Sequence, residues 1–243
     1  YSTIGAQAVA EDVLMNAFAN INYTNGNFSA GFRYESYLNT MLGFPTGYKG
    51  NGIGYRYASY TNDDMTVTVG NYYEQFGNGL IFRSYEARGL GYDNAMDGIR
   101  VKYKLANGFH VKGIMGKQRF YFETGEGILR GVDGELMLND FFGGKFAESK
   151  TKITLGGSFI SKYQVDQSAQ FNLPENVGAG AGRFAIQHKK LSFAGEYARK
   201  ANDPSADNGF IYKEGEAFYA ETGYSTKGFG LTLSAKGVDN MRV

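Results

Sequence analysis

Residues Val13 to Glu35 read VLMNAFANINYTNGNFSAGFRYE, two runs of alternating apolar and polar character joined at Asn25-Gly26. That dipeptide tolerates positive φ at both positions and suits the type I′ turn of a two-residue hairpin. With Thr24 opposite Asn27, one face pairs Tyr23 with Phe28, Ile21 with Ala30, Ala19 with Phe32 and Ala17 with Tyr34. The other face pairs Asn22 with Ser29, Asn20 with Gly31, Phe18 with Arg33 and Asn16 with Glu35, so a guanidinium and a carboxylate point the same way as a column of amides. One such hairpin fits a soluble sandwich equally well. Repetition favours another answer: the pattern returns about six times, as expected for a closed transmembrane barrel with lipid outside and a polar lumen inside.

Composition agrees with that reading. The 243 residues suit a single all-β domain spanning 1–243. Thirty-five Gly, 19 Tyr, 19 Phe and only 3 Pro describe a chain rich in strands and turns. A mean hydropathy of -0.37 does not argue against a membrane, because a barrel strand spends half its residues on the lumen. No apolar run approaches the roughly 20 residues that a spanning helix needs. The lack of Cys removes disulfides, thiol nucleophiles and thiolate metal sites, and fits an oxidising envelope. A net charge of +1 carries no nucleic-acid signature. Without a signal peptide at Tyr1 or a terminal aromatic in Asp239 to Val243, the chain is expected to be a mature fragment or part of a longer protein.

Short and long connections alternate along the chain. Short turns are expected at Asn62-Asp63, Asn107-Gly108, Phe142 to Gly144, His188-Lys189-Lys190 and Thr226 to Gly228. Longer loops are expected at Tyr37 to Asn51, Gln75 to Met96, Arg119 to Gly131, Ser161 to Asn176 and Lys200 to Gly215. Between them run strands marked by Ile53, Tyr55 and Tyr57; Met65, Val67 and Val69; Ile99, Val101 and Tyr103; Phe109, Val111 and Met115; Val132, Gly134, Leu136 and Leu138. Further strands carry Ile153, Leu155 and Phe159; Phe184 and Ile186; Leu191, Phe193 and Tyr197; Phe218, Ala220 and Tyr224; Phe229, Leu231 and Leu233. The expected fold is therefore an antiparallel up-and-down transmembrane β-barrel with about twelve strands in this chain, short turns on one side and long loops on the other. Tyr23, Phe28, Tyr103, Phe109, Tyr224 and Phe229 flank the short turns, where an interfacial aromatic belt would lie.

The segment Gly70 to Arg100 reads GNYYEQFGNGLIFRSYEARGLGYDNAMDGIR. It is too polar and Gly-rich in its middle for a strand, yet it holds Glu74, Arg83, Glu86, Arg88, Asp93 and Asp97. A loop of this kind can fold into the lumen, where facing cations and carboxylates select solutes by charge. It can equally lie solvated outside with local ion pairs. The alternation also puts Arg33, Glu35, Arg56, Arg100, Lys102, Lys104, His110, Lys112, Asp133 and Glu135 on the lumen face, as lumen or constriction candidates.

That run, with NAFANINYTNGNFSAGFRYESYL, resembles an uncharacterised family of outer-membrane barrels from Bacteroidetes-type bacteria, the domain-of-unknown-function family 6029. The likeness covers most of Ile4 to Asp140 and, more loosely, the strands after it. It implies a chain that holds the amino-terminal part of a larger barrel, and it assigns no catalytic residues. Gly70, Phe76-Gly77, Arg83 and Asp97-Gly98 are similar to alginate-export-type porins, which place an Arg-bearing loop before a strand opening with Asp-Gly.

Other motifs carry no chemistry. His110 and His188 without Cys make no zinc set. NDPSADNG at Asn202 to Gly209 lacks the Glu of a calcium loop, and GAGAG at Gly178 to Gly182 has no following helix to bind phosphate. Asn22 and Asn27 open formal glycosylation sequons within a tight turn, and no Ser, His and Asp set with a nucleophile elbow is present. The expected protein is a porin-like channel of the bacterial outer membrane, not an enzyme and without a cofactor. Its expected partners are outer-membrane lipid and other outer-membrane proteins, with no nucleic acid and an unidentified solute. A non-conducting structural or accessory barrel and a soluble β-sandwich remain the alternatives.

Overall fold

Polar turns of two or three residues set the architecture. The structure, a computed structural model, describes residues 15–38 and 47–241. Val13 and Leu14, most of the first expected loop, and the last two residues of the tail lie outside the described residues. In chain order the strands are β1 Asn16–Asn25, β2 Phe28–Tyr37, β3 Gly50–Thr61, β4 Met65–Tyr72, β5 Glu86–Ala87, β6 Tyr92–Asp93 and β7 Met96–Ala106. They continue as β8 Phe109–Phe120, β9 Glu123–Met137, β10 Thr151–Tyr163, β11 Asn176–His188, β12 Leu191–Lys200, β13 Gly215–Thr226 and β14 Phe229–Asp239. Twelve of them form one antiparallel up-and-down sheet, each beside its neighbour in sequence; β5 and β6 pair apart, within the connection between β4 and β7. Among the described residues β1 and β14 do not pair with each other. The sheet of the described residues is therefore open; the expectation was a barrel of which this chain holds part.

Three local details depart from expectation. In the first hairpin Asn25 faces Phe28, so Gly26 (φ 54°) and Asn27 form the turn instead of Asn25 and Gly26. Glycine takes the first central position because it alone enters positive φ there without a steric cost. Tyr23 now faces Ala30 and Ile21 faces Phe32, yet the two faces keep their members.

On β3, Arg33 pairs with Tyr55 and Tyr34 with Ile53, leaving Gly54 as a bulge. One extra residue flips every side chain beyond it. Tyr55 and Tyr57 turn to the polar face, and Arg56, expected on the lumen side, stands opposite Phe32 on the apolar one. Glycine is required at the bulge: a Cβ at Gly54 would lie 2.4 Å from Glu35 Cδ and 2.5 Å from Arg119 Nη2.

The third departure concerns two connections. The expected loop Arg119 to Gly131 is mostly strand, because β8 runs to Phe120, turns at Tyr121 (φ 58°) and resumes as β9 at Glu123. Leu138, expected in a strand, opens a short helix α1 Leu138–Phe142, followed by α2 Gly144–Ala147. Buried Asn139 ties this connection to β10, donating to the carbonyls of Phe146 and Thr151 and accepting from the Ile153 amide.

The two faces of the sheet are inverted relative to a water-soluble protein. Ile21, Phe32, Val132, Phe159, Phe193 and Leu233, all on the apolar face, are exposed, Leu233 by 60 %. Arg33, Glu35, Asp133, Glu196 and Lys200, on the polar face, are buried, Glu35 completely. Phe32, Val67, Val101 and Leu233 share no dry centre. The apolar core lies on the other side, where Tyr72, Phe76, Phe82 and Met96 pack on Ile114, Leu129, Ile160 and Ala179. Residues 73–95 thus fold over the polar face, and the sheet exposes an apolar surface far larger than soluble monomers tolerate.

Candidate functional site

The connection from β4 to β7 enters the polar face because β4 ends early. The pairing of β3 with β4 runs only from Tyr57↔Gly70 to Thr61↔Thr66, and the chain then turns inward. It reaches its far point at Phe76, Gly77 and Asn78. Phe76 is fully buried on the bare backbone of Gly131, where a Cβ would come within 2.8 Å of its ring. Asn78 donates its amide (2.6 Å) and its Nδ2 (2.8 Å) to one oxygen of buried Glu196, across 118 residues of sequence. Gly77 (φ 51°) leaves no space for a side chain beside that carboxylate.

Three cations of the wall hold the start of the segment. Glu74 lies 2.8 Å from Lys102, 3.2 Å from Lys112 and 3.5 Å from Arg100. Burial alone would raise the Glu74 pKa, but the Lys102 and Lys112 ammonium groups outweigh it and hold the carboxyl below its ordinary value.

The return arm ends in a dense cluster of charged side chains. Arg33 bonds Glu35 (2.6 Å), Glu86 (3.1 Å) and Asp93 (2.9 Å). Arg119 grips Glu35 and Asp93, each at 2.6 Å. Tyr37 donates to Glu35 and Tyr73 to Asp93, both at 3.0 Å. Burial first, then the negative charge of Asp93, pushes the Tyr73 hydroxyl well above its ordinary pKa, so it remains a donor. The ring of Tyr55 lies 5.4 Å from the Arg33 guanidinium, its position set by the Gly54 bulge.

Of the residues singled out in the sequence, Arg33, Glu35, Glu74, Glu86, Asp93, Arg100 and Lys102 meet between loop and wall. Arg88 reaches Glu86 at 2.8 Å and covers the ring of Phe18. Arg83 is exposed over the ring of Tyr85 and does not join the cluster. Arg56 and Asp97 pair with each other at 3.2 Å on the apolar face, so neither contributes to a constriction. Toward the short turns, Lys102, Lys104, His110, Lys112, Asp133 and Glu135 line an open cavity of about 380 Å³.

Sequence reading missed Arg119, Arg183 and Glu196. Arg119 was hidden by a slip in the pairing of β8 with β9 between Lys117 and Arg119. Arg183 bonds Asp133 (2.6 Å) and Glu135 (3.3 Å) by lying flat across Gly156, where a Cβ would stand 2.5 Å from its Nε. A glycine on the polar parity was the available signal. Glu196 stands on the polar parity of β12, but its partners, the amide and Nδ2 of Asn78, lie on a distant loop.

A family profile described as "Family of unknown function (DUF6029)" matches residues 2–243. Among solved structures, similarity is found to the outer membrane protein opdK from Pseudomonas aeruginosa, 8% identical, with a TM-score of 0.41, covering 91% of this chain and 87% of that one. A BenF-like porin from Pseudomonas fluorescens Pf-5 is 10% identical, with a TM-score of 0.38 and coverage of 93% and 87%. OccAB2 of Acinetobacter baumannii is 10% identical, with a TM-score of 0.34 and coverage of 93% and 87%. No curated protein matches the sequence.

Removing Arg119 leaves Glu35 and Asp93 buried beside a single guanidinium. Arg119→Met is therefore expected to destabilise the folded state by about 3–5 kcal/mol, whereas exposed Arg88→Met costs about 0–1 kcal/mol. Urea titration of both variants checks the contrast, and equal midpoints would contradict it. Because the folded pKa of Glu74 lies below the unfolded one, its contribution is complete above the ordinary carboxylate range and is lost as pH falls through the depressed value. Cleavage of residues 75–93 by an acid-stable protease should stay constant down to about pH 4 and rise below it. Glu74→Gln should remove that dependence.

Proposed function

This chain belongs to DUF6029, a family of unknown function, and we propose that it forms the wall of an outer-membrane β-barrel, a porin-like channel narrowed by its own inward loop. The observation that carries this reading is the inversion of the two faces. An apolar sheet surface is exposed while Glu35, Asp133 and Glu196 are buried on the opposite side, an arrangement that suits acyl chains outside and an enclosed, hydrated interior. The twelve strands of the main sheet, 8 to 15 residues long, can cross the hydrocarbon at a tilt. Connections at 26–27, 62–64, 107–108, 189–190 and 227–228 are short on one side; those at 73–95, 164–175 and 201–214 are long on the other. Two connections depart from this pattern: the tight β8–β9 turn on the long side and residues 138–150, with α1 and α2, on the short side.

In this reading residues 73–95 set the width of the path and the wall sets its charge. Lys102, Lys104, His110 and Lys112 line the cavity beside Asp133 and Glu135, and a solute passes between groups of opposite sign in a transverse field. The dry packing of Phe76 and Phe82 on Ile114 and Leu129 favours a second reading, a barrel closed by its loop that serves an outer-membrane assembly.

Conductance of the purified protein in planar bilayers separates the two. The channel reading predicts discrete steps, and Lys102→Glu with Lys112→Glu should shift the reversal potential in a salt gradient toward cations. Bilayers without steps would overturn it and leave the closed barrel.

A further inference from the structure

We infer that the outer face carries a self-association surface centred on Arg56 and Asp97, where a second copy of this chain docks about a two-fold axis. The inference rests on the reading of that face as membrane-facing. Arg56 stands opposite Phe32 and between Ala58 and Ile53 on its own strand, with Ile53 exposed. Its side chain is 61% exposed and pairs at 3.2 Å with Asp97, itself 23% exposed. Asp97 shares its face with Ile99, two residues along β7, and has Lys117 opposite it on β8.

Asn71, buried beside this pair, answers a local need. Where β4 parts from β3 while still paired with β7, its side-chain oxygen accepts the Arg56 amide at 2.8 Å, which a strand would otherwise have paired. The guanidinium answers no such need: Phe32 stands opposite Arg56, and Ile53 and Ala58 flank it along the strand. A charge held among acyl chains loses hydration that one carboxylate does not replace. Covered by protein, the same group gains a second acceptor.

The charges themselves identify the cover. A cation and an anion one hydrogen bond apart are complementary to their own image after a half-turn, because an isologous interface sets each residue against its counterpart's partner. Arg56 of each copy then reaches the Asp97 of the other while keeping its own. Exposed Phe32, Tyr34, Ile53, Val69 and Ile99 supply the apolar surround. A partner with a uniformly charged surface would leave one of the two charges facing its like.

The test co-expresses two differently tagged copies of the full chain and captures one tag from membranes extracted in mild detergent. Wild-type copies should co-purify. Arg56→Asp should lose at least tenfold against its own copy, and so should Asp97→Arg, since position 56 of each copy then meets a like charge at position 97 of the other. Arg56→Asp mixed with Asp97→Arg should regain co-purification, a rescue that a purely internal ion pair cannot produce. Arg56→Leu, which adds no acid to the face, should also remain single, and the mobility of unheated samples on gels reports that each variant is folded. Absence of wild-type co-purification, or undiminished pairing of folded Arg56→Asp, overturns the inference. Recovery of the protein in the aqueous phase of a detergent partition would instead overturn the membrane reading on which it rests.

Discussion

Glu35 is a carboxylate with no access to water, and the rest of the interior is arranged around keeping it charged. Two guanidiniums surround it, Arg33 from its own strand and Arg119 from β8, and Tyr37 adds a hydroxyl. Two cations beside one carboxylate leave an excess of positive charge, which only another acid can offset at low dielectric. Asp93 and Glu86 supply it, and both lie on the inward segment. The wall therefore lacks charge balance without its loop, and the loop lacks counter-ions without the wall.

The same requirement sets details that look unrelated. Gly54 is bare so that Glu35 and Arg119 can approach β3; its bulge then turns Tyr55 inward against Arg33 and sends Arg56 outward. Gly131 accepts Phe76, and Gly156 lets Arg183 lie along the sheet to Asp133. Each glycine trades a side chain for a contact between wall and interior. The result is a sheet with its fixed charges held on one face and its apolar side chains on the other.

Much of this was legible in the sequence. Period-two alternation fixed the strands, and Asn62-Asp63, Asn107-Gly108, His188 to Lys190 and Thr226 to Gly228 marked the short turns where the structure has them. The segment around Glu74, Glu86 and Asp93 stood out because charges and aromatics outnumbered anything a strand could use. Bulges were illegible, because a one-residue slip leaves the composition unchanged while reversing every face beyond it. Arg56 was misplaced for that reason, and Asp97 because it was counted with the inward segment although its parity matches Ile99 and Val101 on β7. Contacts of long sequence separation, such as Asn78 with Glu196, leave no local trace at all.

Everything in this architecture turns on which side of the sheet meets lipid. Spin labels placed one at a time at Ile99, Arg100, Val101, Lys102 and Tyr103 in reconstituted protein, scored for collision with oxygen and with a water-soluble nickel complex, read this directly. Oxygen access should peak at positions 99, 101 and 103, with the nickel complex favoured at 100 and 102. The reverse order, or no alternation along the strand, would contradict it.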